Sequence, residues 1–204
     1  MSGTSYGDLL EERIIEPLCL QNTYYRAHLY PPAVTSREPA GYFFDDRVPG
    51  FSGLVGRDVS RDTLSWGRAA GGIISTTSDL THWERALYAG RLLPPRQQAE
   101  LTSLVSTATG QPIEQTSLTD PSGFGLGVAQ LTAEPLGTFW AYEGSTLGFR
   151  VLHVYLPESG LIIALGLNSH TSDNQIDLLA LSVFDTLVEQ GVLPAPVATA
   201  GTGS

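Results

Sequence analysis

The side chains of this chain that could do chemistry are few. Histidines stand at positions 28, 82, 153 and 170, and Cys19 is the single cysteine. All 11 basic residues are arginine (13, 26, 37, 47, 57, 61, 68, 85, 91, 96 and 150). With no lysine, this chain by itself offers no Schiff base, no P-loop and no Ser-x-x-Lys nucleophile pair. A lone cysteine makes neither an internal disulfide nor a cysteine metal site, and His82-Trp-Glu84 lacks the second histidine or Cys-x-x-Cys that would complete a zinc set. No metal and no cofactor are therefore expected. His153 reads as a half-buried strand residue and His82 as a helix-surface residue. Gly50-Phe-Ser52-Gly53 comes nearest to a Gly-x-Ser-x-Gly elbow but lacks the second glycine in place. A Ser52 triad assembled in space stays open, with no local signature to mark it. The glycines at 123, 125 and 127 would need a helix directly after them to cradle a phosphate, and Ala129-Gln130-Leu131 follows instead. They are expected to let another backbone or a helix pack close against that segment.

The elements that must position these groups belong to a chain of 204 residues. That length suits one domain, which buries roughly 70% of its unfolded surface. The 21 acidic residues set a net charge of −10, which repels nucleic acid and anionic membrane surfaces. Hydrophobic residues make up 42% and charged residues 16%, too apolar for wholesale disorder. No apolar run reaches the length of a membrane span. No charged segment followed by an apolar stretch opens the chain, so the sequence as written encodes no secretory signal and reads as cytoplasmic.

Ser5-Tyr-Gly-Asp8 has capping-box spacing, and Leu9, Leu10, Ile14 and Ile15 predict a first helix up to Pro17. From Leu20 to Arg68 neither helical nor strand period is sustained, which predicts a long irregular excursion forming a binding wall or part of another lobe. Thr77 or Ser78 caps a helix carrying Leu80, Trp83, Leu87 and Tyr88, stopped by Gly90. Pro95 to about Val105 is expected as a third helix, and residues 106–122 as loop. Phe124, Leu126 and Val128 alternate with glycines as a strand. Phe149 to Leu156, a turn at Pro157 to Gly160, and Leu161 to Leu167 complete an antiparallel sheet. Ile176, Leu179, Ala180, Val183, Phe184, Leu187 and Val188 form one apolar helical face to cover it. The fold class is thus α+β, an antiparallel sheet with a C-terminal helix packed on it and a partial helical lobe. The domain spans 1–191, and the Pro/Ala/Thr/Gly-rich tail 192–204 is expected to be disordered.

Six segments, in this order, carry a resemblance: Ser5-Tyr-Gly-Asp-Leu-Leu10, Glu12-Arg-Ile-Ile-Glu-Pro-Leu18, Ala70-Gly-Gly-Ile-Ile-Ser-Thr-Thr-Ser-Asp-Leu80, Ala86-Leu-Tyr-Ala-Gly-Arg-Leu-Leu93, Gly123-Phe-Gly-Leu-Gly-Val128 and Glu143-Gly-Ser-Thr-Leu-Gly-Phe-Arg150. Together they resemble the C-terminal part of serine β-lactamase-related proteins, which include class C β-lactamases, D-alanyl-D-alanine carboxypeptidases and related esterases. The similarity runs from about residue 2 to 190 and implies an incomplete β-lactamase/transpeptidase-like fold. In that family the acylated serine comes from Ser-x-x-Lys on a buried helix. A Tyr-x-Asn loop lies beside it, and a Lys/His-x-Gly strand closes the cleft opposite. Lysine and tyrosine share a proton to activate the serine, and strand backbone helps to hold the oxyanion.

Only the third element is matched here. The resemblance puts the strand motif on Tyr142-Glu143-Gly144, followed by Ser145 and Thr146. It implies that the Ser145 N–H is one oxyanion donor, that Tyr142 takes part in catalysis, and that Glu143, Gly144 and Thr146 contact substrate. The other oxyanion donor belongs to the nucleophile, which this chain lacks. Tyr142 departs from the usual histidine or lysine: a phenol donates a hydrogen bond but carries no positive charge near neutral pH. Glu143 stands where a small or hydroxylic residue is common, and a carboxylate there would repel the carboxylate of a penicillin or peptide. Both changes weaken a lactamase or carboxypeptidase reading and leave room for an esterase-like or degenerate cleft. The alternative is that Tyr142 is an ordinary strand aromatic with Glu143 on the solvent side. Cys19 replaces a glycine that often ends the helix in the family, so a turn without positive φ is expected there.

In relatives, the Tyr-x-Asn loop leads into a helix ending near Val-Ser-Gly-x-Ser-Tyr, where Met1-Ser-Gly-Thr-Ser-Tyr6 begins. The expectation is a truncated or split gene product, inactive alone, acting on a small acyl substrate (amide or ester) only when the missing half is supplied. Family members are often secreted or periplasmic, so any signal would lie upstream. The second expectation is a non-catalytic module that self-associates, or pairs with a separate N-terminal half, through apolar surface left exposed.

Overall fold

Ser5 accepts a hydrogen bond from the Asp8 amide at 3.1 Å and opens a short helix α1 (Tyr6–Leu10), which widens into a π-helical turn over Glu11–Ile15. The computed structural model describes residues 3–25, 30–60, 67–173 and 175–194. His28, and the expected disorder from 195 onward, lie outside the described residues. The π turn ends in a Schellman-type stop, with the Cys19 amide on the Glu16 carbonyl and the Leu20 amide on the Ile15 carbonyl, both 3.0 Å. Cys19 occupies the left-handed position at φ 54°, contrary to expectation. The motif's two backbone bonds hold that conformation even though the side chain disfavours it.

Over its described residues, 20–25, 30–60 and 67–68, the excursion after Leu20 is mostly irregular, as its sequence predicts. It contributes β1 (Tyr24–Tyr25), α2 (Pro32–Thr35), β2 (Tyr42–Phe43) and β3 (Arg57–Asp58). β4 (Ile73–Ile74) pairs with β1. Thr76, one residue ahead of the expected cap, accepts from the Asp79 amide at 3.2 Å and starts α3 (Thr77–Tyr88). Gly90 follows that helix at φ +66°, as a helix stop requires.

The next segment corrects the sequence reading. α4 covers only Pro95–Leu101, and β5 (Leu104–Ser106) follows. Residues 106–122 are not all loop, since β6 (Pro112–Ile113) and the first residue of β7 (Ser122–Phe124) fall there. The strand expected over 124–128 ends at Phe124. Gly125 to Val128 turn instead, with the Gly125 amide on the Val128 carbonyl at 2.8 Å and Gly127 at φ +82°, and a side chain at Gly125 would sit 2.3 Å from the Leu101 carbonyl oxygen. The Leu126 amide bonds that same carbonyl at 2.9 Å, so this glycine does admit a helix end in close contact.

β8 (Ala129–Ala133), β9 (Gly137–Ser145), β10 (Arg150–Leu156) and β11 (Leu161–Leu167) complete a seven-stranded antiparallel sheet in the order β11-β10-β9-β8-β7-β5-β6. β12 (Ser169–His170) joins β2 and β3 in a small separate sheet. α5 (Gln175–Glu189) covers one face of the main sheet. Ile176, Ala180 and Phe184 bury against Phe139, Ala141, Leu152, Val154, Leu156 and Ile163. Each large side chain so buried contributes about 1.5–3 kcal/mol. Leu179 is 40% exposed, so the apolar stripe is narrower than its sequence period implies. The packed core extends past Gly191, because Leu193 is buried in it and its amide reaches the Leu187 carbonyl. α3 lies on the opposite face, with Trp83 edge-on to His153 and Tyr88 stacked on Tyr155.

Candidate functional site

The α3 face of β9–β11 holds the candidate site. β9 outruns its neighbour: pairing with β8 stops at Ala129–Ala141, whereas pairing with β10 continues to Ser145–Arg150. Among the described residues, Tyr142 to Ser145 therefore has β10 on one side and no strand on the other. The Thr146 amide bonds the Phe149 carbonyl at 2.8 Å, closing the hairpin. Hydrogen-bonded and non-hydrogen-bonded pairs alternate along an antiparallel ladder. Counting from that closure, the N–H groups of Ser145 and Glu143 turn away from β10 toward the free edge, while Gly144 and Tyr142 bond back to β10.

The hairpin tip is pinned from behind. The Thr146 carbonyl lies 2.5 Å from Nδ1 of His170, whose Nε2 is 3.9 Å from the Asp45 carboxylate. Arg47 hydrogen-bonds Asp45 through its backbone and side chain and holds that carboxyl below the usual carboxylate range. Gly148 packs on Gly41, where any Cβ would fall within 3 Å of the Gly41 backbone.

Alternation along β9 separates the sequence-predicted residues. Tyr142 and Gly144 share the α3 face and line the cavities there. The Glu143 side chain lies on the other face, ion-paired with Arg150, whose Nε is 2.7 Å from Oε1. Glu143 is thus neither a free solvent carboxylate nor a charge in the cleft, and the repulsion expected from it does not act there. Ser145 is exposed at the free edge, and Thr146 is half-buried under the tip. Ser52 lies in a 3₁₀ turn at residues 52–54, far along the chain from β9, with its carbonyl accepting from the Val55 amide.

Two cavities lie side by side on this face. One, of about 430 Å³, is bounded by Leu10, Ile14, Ile15 and Leu20, by Trp83 of α3, and by Tyr142 and His153. The other, of about 720 Å³, is bounded by Asn22, Arg37, Glu38, Ser145, Thr146 and Asn168. They share Gly144, Val151 and Gly166, which are direct cross-strand partners and make a smooth row across β9, β10 and β11. Nothing lies within 4 Å of a Cβ built on Gly144 or Gly166. Asp79 ties the walls together, accepting from the Asn22 amide at 2.7 Å and the Thr23 hydroxyl at 3.0 Å.

Sequence reasoning missed one pairing. His153 is in β10 as expected, but it is buried and its Nδ1 is 2.9 Å from Oε1 of Glu84, which is 0% exposed. Glu84 sits in the amphipathic helix pattern as an ordinary polar residue. Its partner is 69 positions away, so no local spacing could have revealed the pair.

The family model described as Beta-lactamase matches residues 1–185. Among solved structures, the D-stereospecific amidohydrolase from Streptomyces sp. is 27% identical with a TM-score of 0.70, covering 87% of this chain and 48% of that one. The D-amino acid amidase from Ochrobactrum anthropi SV3, complexed with L-phenylalanine, is 23% identical with a TM-score of 0.75, covering 93% and 55%. A penicillin binding protein from Bacillus halodurans is 18% identical with a TM-score of 0.64, covering 91% and 51%. The latter two likenesses concern the fold. The chain spans about half the length of these solved proteins. With its antiparallel sheet and C-terminal helix, its α+β fold is β-lactamase/transpeptidase-like, and the chain belongs to the beta-lactamase family.

Proposed function

We propose that this chain is the strand-wall portion of a serine hydrolase that cleaves amide or ester acyl bonds. A segment carrying Ser-x-x-Lys and Tyr-x-Asn supplies the nucleophile and its base. The observation that carries this reading is the free edge of β9 beside the bare Gly144–Val151–Gly166 row. A helix bearing the nucleophile packs on that small-residue floor, and the edge N–H of Ser145 then reaches the oxyanion of the acyl group. Such a donor contributes roughly 3–4 kcal/mol to an acyl-transfer transition state. Tyr142 and Thr146 flank that edge and orient the substrate, with the Tyr142 phenol as a neutral donor.

The amide reading draws on the solved relatives whose names describe amidases. Turnover of a D-amino acid p-nitroanilide, compared with a p-nitrophenyl ester, tests it: the chain alone is inert and the completed assembly prefers the anilide. Equal inertness of the completed assembly on both substrates would remove the hydrolase reading.

The second reading is a non-catalytic module that uses the same floor as an interface. Val151 within the row and Ile73, both about 40% exposed, favour it. Analytical ultracentrifugation separates the two, since the module self-associates through that face whether or not a nucleophile segment is present.

A further inference from the structure

A carboxylate with no access to water needs a hydrogen-bonding partner to hold it. Glu84 on α3 finds one, among the described residues, in the Nδ1 of His153, while its Oε2 has none. Because Nδ1 is committed to Glu84, the second ring nitrogen decides what the histidine can do. Nε2 has no hydrogen-bond partner among the described residues, and His153 lines the apolar 430 Å³ cavity. Tyr142 is its direct cross-strand partner, and Trp83 stands edge-on to the ring at 5.9 Å.

The other polar groups around the pair do not compete for it. Asp79 is occupied by Asn22 and Thr23. Tyr88 lies one helical turn from Glu84. Burial first, then the charge of Glu84 and the nearby Tyr155, push its phenol well above the ordinary value, so it stays neutral. From α1 and the π turn, the cavity receives only Leu10, Ile14 and Ile15.

We propose that Glu84 and His153 form a carboxylate–imidazole dyad whose Nε2 is a proton acceptor opening into the cleft beside Tyr142. Ionised Glu84 accepts the Nδ1 proton, which fixes the tautomer and leaves the Nε2 lone pair free. In hydrolysis, Nε2 takes a proton from water as the water oxygen bonds to the acyl carbon. The bond from that carbon to the oxygen of the acylated serine breaks, and the proton passes from Nε2 to that serine oxygen. Glu84 stabilises the imidazolium formed between the two transfers. The assignment of a reaction rests on the hydrolase reading, but the placement of the proton on the dyad does not.

The tautomer is tested on the chain alone by ¹⁵N NMR of the imidazoles at a pH where they are neutral, with His153→Gln assigning the signals. Nδ1 protonated and Nε2 bare is the expected result. Nε2 protonated with Nδ1 bare would show that Glu84 keeps the proton and would overturn the dyad. Diethyl pyrocarbonate, followed by peptide mass mapping, gives a second reading. His153 is carbethoxylated, and Glu84→Gln slows that modification about tenfold or more, a fraction of the ~10⁴-fold that a wrong tautomer costs a catalytic imidazole. An unchanged rate would overturn the proposal. In an assembly that turns over, His153→Gln lowers kcat about 10²-fold with KM little altered, as loss of a general base does. Unchanged kcat there removes the reaction from the dyad while leaving the hydrolase reading intact. No turnover by the wild-type assembly removes both, with the NMR result still deciding the dyad.

Discussion

Glu143 and Arg150 meet across β9 and β10 on the face that α5 covers, and their ion pair keeps the Glu143 carboxylate out of the cleft. Arg150 also bonds the Asp173 carbonyl just ahead of α5, so one guanidinium joins the motif strand, the next strand and the closing helix. Glu143→Ala is expected to destabilise the chain by about 1.5–3 kcal/mol, as loss of a hydrogen bond to a charged group does. Ligand affinity in the cleft should hold within twofold. Urea denaturation beside a binding isotherm checks both. A large affinity change with unaltered stability would place Glu143 in the cleft instead.

Gly166 separates folding from assembly. Its Cβ direction is open, so Gly166→Val should leave stability within about 0.5 kcal/mol of wild type. The same substitution places a branched side chain on the floor proposed to receive the nucleophile helix. Pull-down or turnover with a Ser-x-x-Lys segment should fall at least tenfold, equivalent to about 1.4 kcal/mol. Undiminished association would mean that the partner sits elsewhere.

Much of this architecture is legible in the sequence, and the exceptions have identifiable physical causes. α3 and α5 carry their period over more than three turns, and β10 and β11 are apolar on both faces, so packing and local pattern agree. β5, β6 and β7 are two or three residues long and rich in Ser, Gly and Pro. Their strand character comes from neighbours in the sheet rather than from their own propensity. α4 stops early because the Leu101 carbonyl is taken by the Leu126 amide, a contact between segments that are remote by local pattern. The motif positions on β9 are legible through family resemblance. The face that each one occupies follows only from the ladder with β10.

Ile176 is the tightest point of the core beneath the site, at 0% exposure. Ile176→Ala should cost about 2–5 kcal/mol through lost burial and the cavity left behind. Thermal denaturation with an unchanged m-value in urea would verify this as a packing effect. A loss below about 1 kcal/mol would mean that α5 does not sit on the sheet in this register.

Cys19 holds a left-handed conformation that glycine adopts without cost. Cys19→Gly should raise stability by roughly 0.5–1 kcal/mol, the relief of the Cβ clash exceeding the added freedom of the unfolded chain. A lower denaturation midpoint would contradict the Schellman-type stop.

Asp45 sets the acid limit of the hairpin tip. Arg47 lowers its folded-state pKa below the unfolded value, so its contribution is complete above the unfolded carboxylate range. That contribution fades as pH falls through the lowered folded value. In Asp45→Asn, the stability–pH curve measured by urea titration should lose part of its acid slope, with the two curves converging at the most acidic pH. Parallel curves would show that Asp45 is not coupled to Arg47.

In the proposed assembly this chain supplies the β9 edge and floor of a hydrolase while the nucleophile comes from another segment. The direct measurement is turnover of a D-amino acid p-nitroanilide and a p-nitrophenyl ester by the purified 204-residue chain, alone and combined with a family segment carrying Ser-x-x-Lys and Tyr-x-Asn. No turnover alone is predicted. Activity should appear with the segment and vanish when the segment's nucleophilic serine is replaced by alanine. Robust turnover by the chain alone would show that it carries a nucleophile of its own.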